Sequence, residues 1–245
     1  MNIGNDIHKN SNAIIISSLI IGLTIIICTF NLSNAFVKVK GLGKTISVTG
    51  AAVKSITSDY AVWEGTISTT NANLDLAYAK IREDLVKVQS FLKKKNFKLE
   101  AYDISTIQIL KNMNQKREFL DYTLVQTITI ELDDVPRITQ LAREASTLIE
   151  QGVEIKSENP KYLFTRLEEL KLEMIKAATE NARMRVDQLA ISTNCSVGVP
   201  ISANIGIFQI RPLHSTDVSN WGMNDVTSIE KEIVSTVHVD FMIDD

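Results

Sequence analysis

The sequence predicts an α+β fold: antiparallel sheets packed against helices, in the order ββα–ββα–β–α–ββ, after an N-terminal transmembrane helix. Three observations carry this. Residues Ala13–Phe30 run for 18 positions without a charge. Several later stretches alternate apolar and polar residues with the period of a half-buried strand. Between them lie stretches whose apolar residues recur at spacings of three and four, the period of a helix. Paired strands followed by a helix point to antiparallel sheet with helices on one face, and the two ββα units suggest a loose internal repeat. The chain divides into a polar tail at 1–12, the apolar segment at 13–30, a linker at 31–43 and a folded domain at 44–245.

Ala13–Phe30 (AIIISSLIIGLTIIICTF) makes a helix of about 27 Å, near the hydrocarbon thickness of a bilayer. A buried core helix would carry a polar face, and this one offers scattered hydroxyls such as Ser17, Ser18 and Thr24. Ala13, Ile20, Ile27 and Phe30 mark it as a membrane anchor. Two fates stay open. Ser33-Asn34-Ala35 supplies small residues for signal-peptide cleavage before Phe36, whereas the long apolar run and a weakly basic start, Lys9 offset by Asp6, fit an uncleaved anchor. Lys38, Lys40 and Lys44 after the segment outnumber Lys9 before it. Taken literally this bias keeps the domain in the cytoplasm, but it is small, and long domains cross largely regardless of charge. The expected place is the inner membrane, single-pass, with the domain on the periplasmic side, or the periplasm after cleavage.

The remaining composition bounds the function. Net charge is −3 with acids and bases interspersed, so no basic face for nucleic acid is expected. Four prolines and ten glycines in 245 residues argue against long linkers. Of the two cysteines, Cys28 lies in the apolar segment and Cys195 in the domain. The domain therefore has no internal disulfide, and Cys195 reads as a packed or half-exposed thiol rather than a nucleophile.

The elements follow in order. Residues 45–56 and 60–70 are rich in β-branched residues and read as two strands with Thr57-Ser58-Asp59 as their turn. In the second, Ala61, Trp63, Gly65 and Ile67 share a face. Residues 74–95 are helical through Leu74, Tyr78, Ile81, Leu85, Val88 and Leu92, capped by Asn73. Lys93-Lys94-Lys95 at its end admits a phosphate or lipid contact, though a solvated helix end is the simpler reading. Asp103–Leu110 and Tyr122–Leu132 form a hairpin with a long tip at 111–121. A helix with Pro136 in its first turn runs to Gly152 along Ile138, Leu141, Ala142, Ala145, Leu148 and Ile149. A short strand, Val153–Ser157, follows. Pro160 opens the longest helix, about Tyr162–Ser192. Strands at 196–212 and 232–243 close the chain around a polar loop at 213–229. In the last strand Val237, Val239, Phe241 and Ile243 face one way, His238 and Asp240 the other.

No catalytic constellation emerges. Gly41-Leu42-Gly43-Lys44-Thr45 ends like a phosphate-binding loop, but Lys38 stands where the first glycine belongs and a strand follows instead of a helix. His8, His214 and His238 are scattered, and no pair has metal-ligand spacing. No GxSxG occurs, and His238 with Asp240 reads as a surface strand. The single cluster placed for a ligand or assembly contact is His214, Asp217, Trp221 and Asp225, all in one loop. No metal or other cofactor is expected.

Several stretches together resemble the SIMPL-domain family of bacterial envelope proteins, in its membrane-anchored branch. They are Val39-Lys40-Gly41-Leu42, Ser58-Asp59-Tyr60-Ala61-Val62-Trp63, Tyr162-Leu163-Phe164-Thr165, Glu173-Met174-Ile175, Ala178-Thr179-Glu180-Asn181-Ala182-Arg183, Leu189-Ala190 and Lys231–Val239. Each is weakly specific; their order and spacing over residues 37–243 carry the match. Ser58 stands where many relatives have proline, and Val186 where alanine is common, which puts the tightness of helix packing there in question. The family has no established catalytic residues. The resemblance implies an exported, self-associating α+β domain, a homo-oligomer with ring- or channel-like relatives, some of them linked to oxidative-stress tolerance. The resulting expectation is a non-enzymatic envelope protein acting by self-assembly or partner binding, its partners being the membrane and further copies of itself. The alternative is a small-molecule or lipid-binding envelope module.

Overall fold

A computed structural model describes residues 17–33 and 44–244. The polar tail, Ala13, the Ser33-Asn34-Ala35 cleavage motif, Val39–Leu42 and most of the glycine-rich run lie wholly or partly outside them. Residues 17–33 form helix α1, which contains Ile20, Ile27 and Phe30 and is exposed except at the half-buried Gly22. No helix among the described residues is long and apolar enough to cross a membrane.

The domain is α+β, with two sheets and helices. In chain order come β1 (Thr45–Thr57), β2 (Tyr60–Asn71), α2 (Leu74–Lys94), β3 (Tyr102–Ile104), β4 (Gln108–Met113) and β5 (Phe119–Leu132). Then come α3 (Val135–Glu144), β6 (Ile155–Ser157), β7 (Lys161–Leu163), α4 (Leu167–Thr193), β8 (Ser196–Ile205), β9 (Gln209–Pro212), β10 (Met223–Asn224) and β11 (Glu230–Asp244). One sheet runs β1-β11-β9-β10 with β8 also on β11; the other runs β3-β5-β2-β6, with β4 on β5 and β7 on β2. The registered pairs are antiparallel except the two-residue β9–β10 ladder, which is parallel.

The described residues divide into two compact units, one of residues 51–179 and 205–236, the other of 17–33, 44–50, 180–204 and 237–244. In the larger unit α2 and α3 pack on β2 and β5. The inward face of β2 is the expected one, with Ala61, Trp63 and Ile67 fully buried. On β5, Ile130 stands opposite Trp63, Ile128 opposite Gly65 and Leu124 opposite Thr69, and Ile81, Val88 and Leu92 of α2 and Ile138 and Leu141 of α3 complete the core. Asn73 caps α2 as its sequence requires, its Oδ1 accepting from the N–H of Asp75 at 2.8 Å and of Leu76 at 3.3 Å. In the smaller unit Ala182, Val186 and Ala190 of α4 are buried, as are Val48, Val237, Val239 and Phe241. Val186 is fully buried, so the larger side chain is accommodated without opening the packing.

Several expectations need correction. Residues 45–56 and 60–70 are strands, but they do not form a hairpin. Ser58 N–H donates to Ile229 O at 2.9 Å and Asp59 N–H to Leu163 O at 3.0 Å, so the chain crosses from one sheet to the other instead of turning back. The first ββα unit thus straddles two sheets, and the loose internal repeat has no structural counterpart. Tyr162 and Leu163 belong to strand β7, paired with Ala61 and Tyr60. The helix waits until Leu167 because the Asp59 carboxylate holds Thr165 by its N–H and hydroxyl. The long hairpin tip shrinks to a turn closed by Asn114, whose side-chain oxygen accepts from the N–H groups of Lys116 and Glu118. The helix through Gly152 is α-helical only to Glu144, then a 3₁₀ segment over Ala145–Gln151. It stops at Gly152 as expected, with φ of 75°. Tyr78, Ile149 and Leu189 are exposed, and Asp84 takes a buried place on α2, paired with Lys80.

Candidate interaction surfaces

The loop residues singled out by sequence do not form one site. His214 sits at φ of 65° in a turn closed by Ser215 N–H on Pro212 O at 3.0 Å. Asp217 accepts from the Ser215 hydroxyl at 2.9 Å. Trp221 is 94% exposed, its N–H donating to Ser219 Oγ. Asp225 alone is drawn inward, one oxygen accepting the Thr227 N–H at 2.8 Å and hydroxyl at 2.7 Å. Among the described residues no hydrogen bond or ion pair joins any two of the four. With three members solvent-facing and the fourth turned toward the interior, they hold no common substrate position.

What organises the loop is a residue that sequence reading passed over. Lys231 is 2% exposed, and its ammonium donates to the carbonyls of Tyr162, at 2.6 Å, and Asp225. Tyr162 N–H in turn donates to Val226 O at 2.7 Å, and Asp225 N–H to Ile210 O at 2.9 Å. One buried cation thus ties the loop to β7, and the Asp225 N–H ties it to β9. Burial pushes the Lys231 ammonium below its ordinary pKa, opposed by the Asp225 charge. Burial also pulls the Asp225 carboxyl upward. Its hydrogen bonds from Thr227 and Ser228, together with Lys231, outweigh that and hold it below the usual carboxylate value. Arg211 and Glu232 pair beside it at 2.6 Å, both largely buried. The sequence does carry a signal: Lys231 lies in phase with Ile233, Ser235, Val237, Val239 and Phe241, all buried.

In the smaller unit, Asp240 accepts from the Ser47 and Ser202 hydroxyls, each at 2.5 Å. Those two hydrogen bonds lead in holding its carboxyl low; burial opposes them and His238 adds to them. Thr49 Oγ1 lies 3.0 Å from His238 Nδ1, and His238 Nε2 lies 3.8 Å from Asp240. The order hydroxyl, imidazole, carboxylate superficially matches a catalytic relay. Both carboxylate oxygens are already taken by serines, however, and 3.8 Å is too long for a hydrogen bond to orient the imidazole. The cluster cross-links neighbouring side chains on an exposed sheet face. Cys195 is half-buried, its Sγ 3.6 Å from Thr193 O, and both cysteines are free. Among the described residues no group of three His, Cys, Asp or Glu is placed to hold a metal ion.

The β4–β5 arm gathers several exposed apolar side chains at one sheet edge. β4 pairs with β5 alone and forms a sheet edge together with β3. Ile109, Leu110, Met113, Phe119 and Leu120 are each about half exposed. Register places Ile109 opposite Leu124 on the helix-bearing face and Leu110 opposite Thr123 on the other, so both faces of the arm offer apolar side chains. An edge with open backbone groups and apolar faces is suited to pairing with another strand. Sequence reading found the hairpin but left Met113, Phe119 and Leu120 in its tip and gave Ile109 and Leu110 no facing.

Residues 46–241 match a family model named SIMPL and described as a protein of unknown function (DUF541). No curated protein matches the chain. The family match covers both sheets and α2, α3 and α4, the whole frame that positions the arm, the Lys231 knot and the Asp240 cluster. The chain belongs to the SIMPL family.

Proposed function

We propose that this is a non-enzymatic envelope protein, tethered by Ala13–Phe30 or exported after its cleavage, that works by self-assembly or partner binding. Its domain lies on the periplasmic side of the inner membrane, and its role is in envelope maintenance or oxidative-stress tolerance. The observation that carries the assembly part is the β4–β5 arm, with apolar side chains on both faces of an open sheet edge. The tether is supported by the composition of the segment and by α1, where Thr24 and Thr29 turn their hydroxyls back onto the carbonyls of Ile20 and Ile25. A polar side chain satisfied within its own helix suits apolar surroundings. The test is the mass of the full chain in detergent or nanodiscs, by mass photometry, for wild type and for the double substitution Ile109→Lys, Met113→Lys. The wild type is expected as an oligomer that the variant dissociates while its circular dichroism stays unchanged. A wild type that remains monomeric at high concentration overturns the assembly reading.

A further inference from the structure

The C-terminal end of α2 carries a groove of about 840 Å³ within the larger unit, inside the size range of small-molecule sites. One wall is a helical stripe, Val86, Gln89, Ser90 and Lys93, spaced three and four apart. The chain then turns through Asn96, at φ of 63°, and returns along Lys98, Leu99 and Tyr102 as the facing wall. Phe97, 5% exposed, lines the groove at the turn, and the Arg137 guanidinium stacks on its ring at 4.2 Å. Val86 and Leu99 are 60% and 63% exposed.

The charges at this end are arranged unusually for a solvated helix terminus. Lys95 is occupied by Glu144. Arg137 donates to the carbonyls of Lys95 and Asn96, at 3.2 and 2.9 Å, and so covers the negative end of the helix dipole. Lys93 and Lys98 line the groove without an ion-pair partner among the described residues. Glu100 also lines it and acts on Tyr102, whose phenol burial already pushes up. The result is a groove with two uncommitted ammonium groups, an aromatic residue at its turn and exposed aliphatic side chains on both walls.

We propose that this groove binds a free long-chain carboxylate, with its head on Lys93 and Lys98 and its chain along Val86, Leu99 and Phe97. Apolar walls alone would accept any hydrocarbon. The two unpaired lysines select an anionic head; Glu100 offsets one of them, which leaves the lining a net charge of +1 for a single carboxylate. This goes beyond the assembly reading and does not depend on it.

The probe is a diazirine analogue of palmitate, added to the full chain in phosphatidylcholine vesicles, photolysed and mapped by peptide mass spectrometry. Labelling is expected within residues 86–102, competed by palmitate and not by its methyl ester. Lys93→Glu with Lys98→Glu should reduce it roughly five- to tenfold, in the range of two lost partly exposed charge contacts. The double Arg replacement should retain it, and Lys111→Glu, on β4, should leave it unchanged. Leu99→Asp should weaken it comparably, and near-ultraviolet circular dichroism confirms folding of each variant. Labelling confined to other residues, a charge-reversed variant that labels as strongly as wild type, or equal competition by the methyl ester overturns the proposal. So does competition by phosphatidylserine vesicles as effective as palmitate, which would assign the lysines to an anionic membrane surface. Oligomer mass does not enter these readouts, so this proposal and the assembly reading fail separately.

Discussion

Trp63 and Gly65 show how tightly single positions are coupled in the larger unit. The indole is fully buried, its N–H donating to Ser157 Oγ at 2.9 Å, and that hydroxyl donates to Ala142 O at 3.0 Å. The ring folds along its own strand and lies over Gly65, where an added Cβ would come within 2.7 Å of Trp63 Cζ2. Gly65→Ala must displace the indole and strain its hydrogen-bond chain, at about 1–3 kcal/mol. The expected outcome is a lower urea midpoint with a red-shifted Trp63 emission, against an unchanged Trp221 signal from the exposed loop. The Asp225–Lys231 knot gives a second prediction. Asp225 has a folded pKa below its ordinary value of 3.8. Its contribution to stability is therefore fully present above pH 3.8 and is lost as pH falls through the folded value. Asp225→Asn should be destabilised at pH 7, and the gap to wild type should narrow below pH 3.8 in thermal melts at the two pH values. The facing of Trp63 was legible because alternation on β2 is regular. The knot was not, because a lysine is read as solvated until the phase of its strand is followed back from Val237 and Val239. The same holds for the candidate loop: its residue types suggested a ligand, but loop residues have no period from which direction can be inferred.

Elements were legible where local sequence decides them and illegible where a distant partner does. α2 depends on its own cap and stripe, and Asn73, Leu74 and Ile81 announce it. Asn73→Ala removes a side-chain acceptor from two backbone N–H groups and should cost about 1 kcal/mol. This corresponds to roughly 2–4 °C in melting temperature; Asn73→Asp should restore it. By contrast, nothing in Thr57-Ser58-Asp59 distinguishes a hairpin turn from a crossover. The choice is made by Ile229 and Leu163, which take the Ser58 and Asp59 N–H groups from far along the chain. Lys161–Leu163 likewise becomes a strand because β2 offers it an edge, and tertiary pairing there overrides helix periodicity. The break between β3 and β4 has the same origin. Ser105 N–H donates to Thr127 O and its hydroxyl accepts from Thr127 N–H, so the edge bulges at a position the alternation did not mark.

At the scale of the whole molecule, flanking charge and domain length act in opposite directions on the side of the membrane the domain takes. The charge bias around Ala13–Phe30 favours a cytoplasmic domain, whereas the proposed envelope role requires an external one. The bias rests on Lys38, Lys40 and Lys44 against Lys9, too small a difference to hold back a folded domain of this length. A direct measurement is available because both native thiols are unpaired. Lys116→Cys adds a third in the exposed turn that joins β4 to β5. In intact spheroplasts a membrane-impermeant maleimide is expected to label Cys195 and the introduced thiol to the same extent as after permeabilisation. Cys28 is expected to label poorly in both if α1 lies in lipid. Release of the labelled domain into the soluble fraction, with a new N-terminus at Phe36, would identify cleavage after Ala35 instead of an anchor. Protection of Cys195 and the introduced thiol in intact spheroplasts, lifted by permeabilisation, would place the domain in the cytoplasm. The β4–β5 arm would then meet only cytoplasmic partners, and the envelope reading would have to be abandoned.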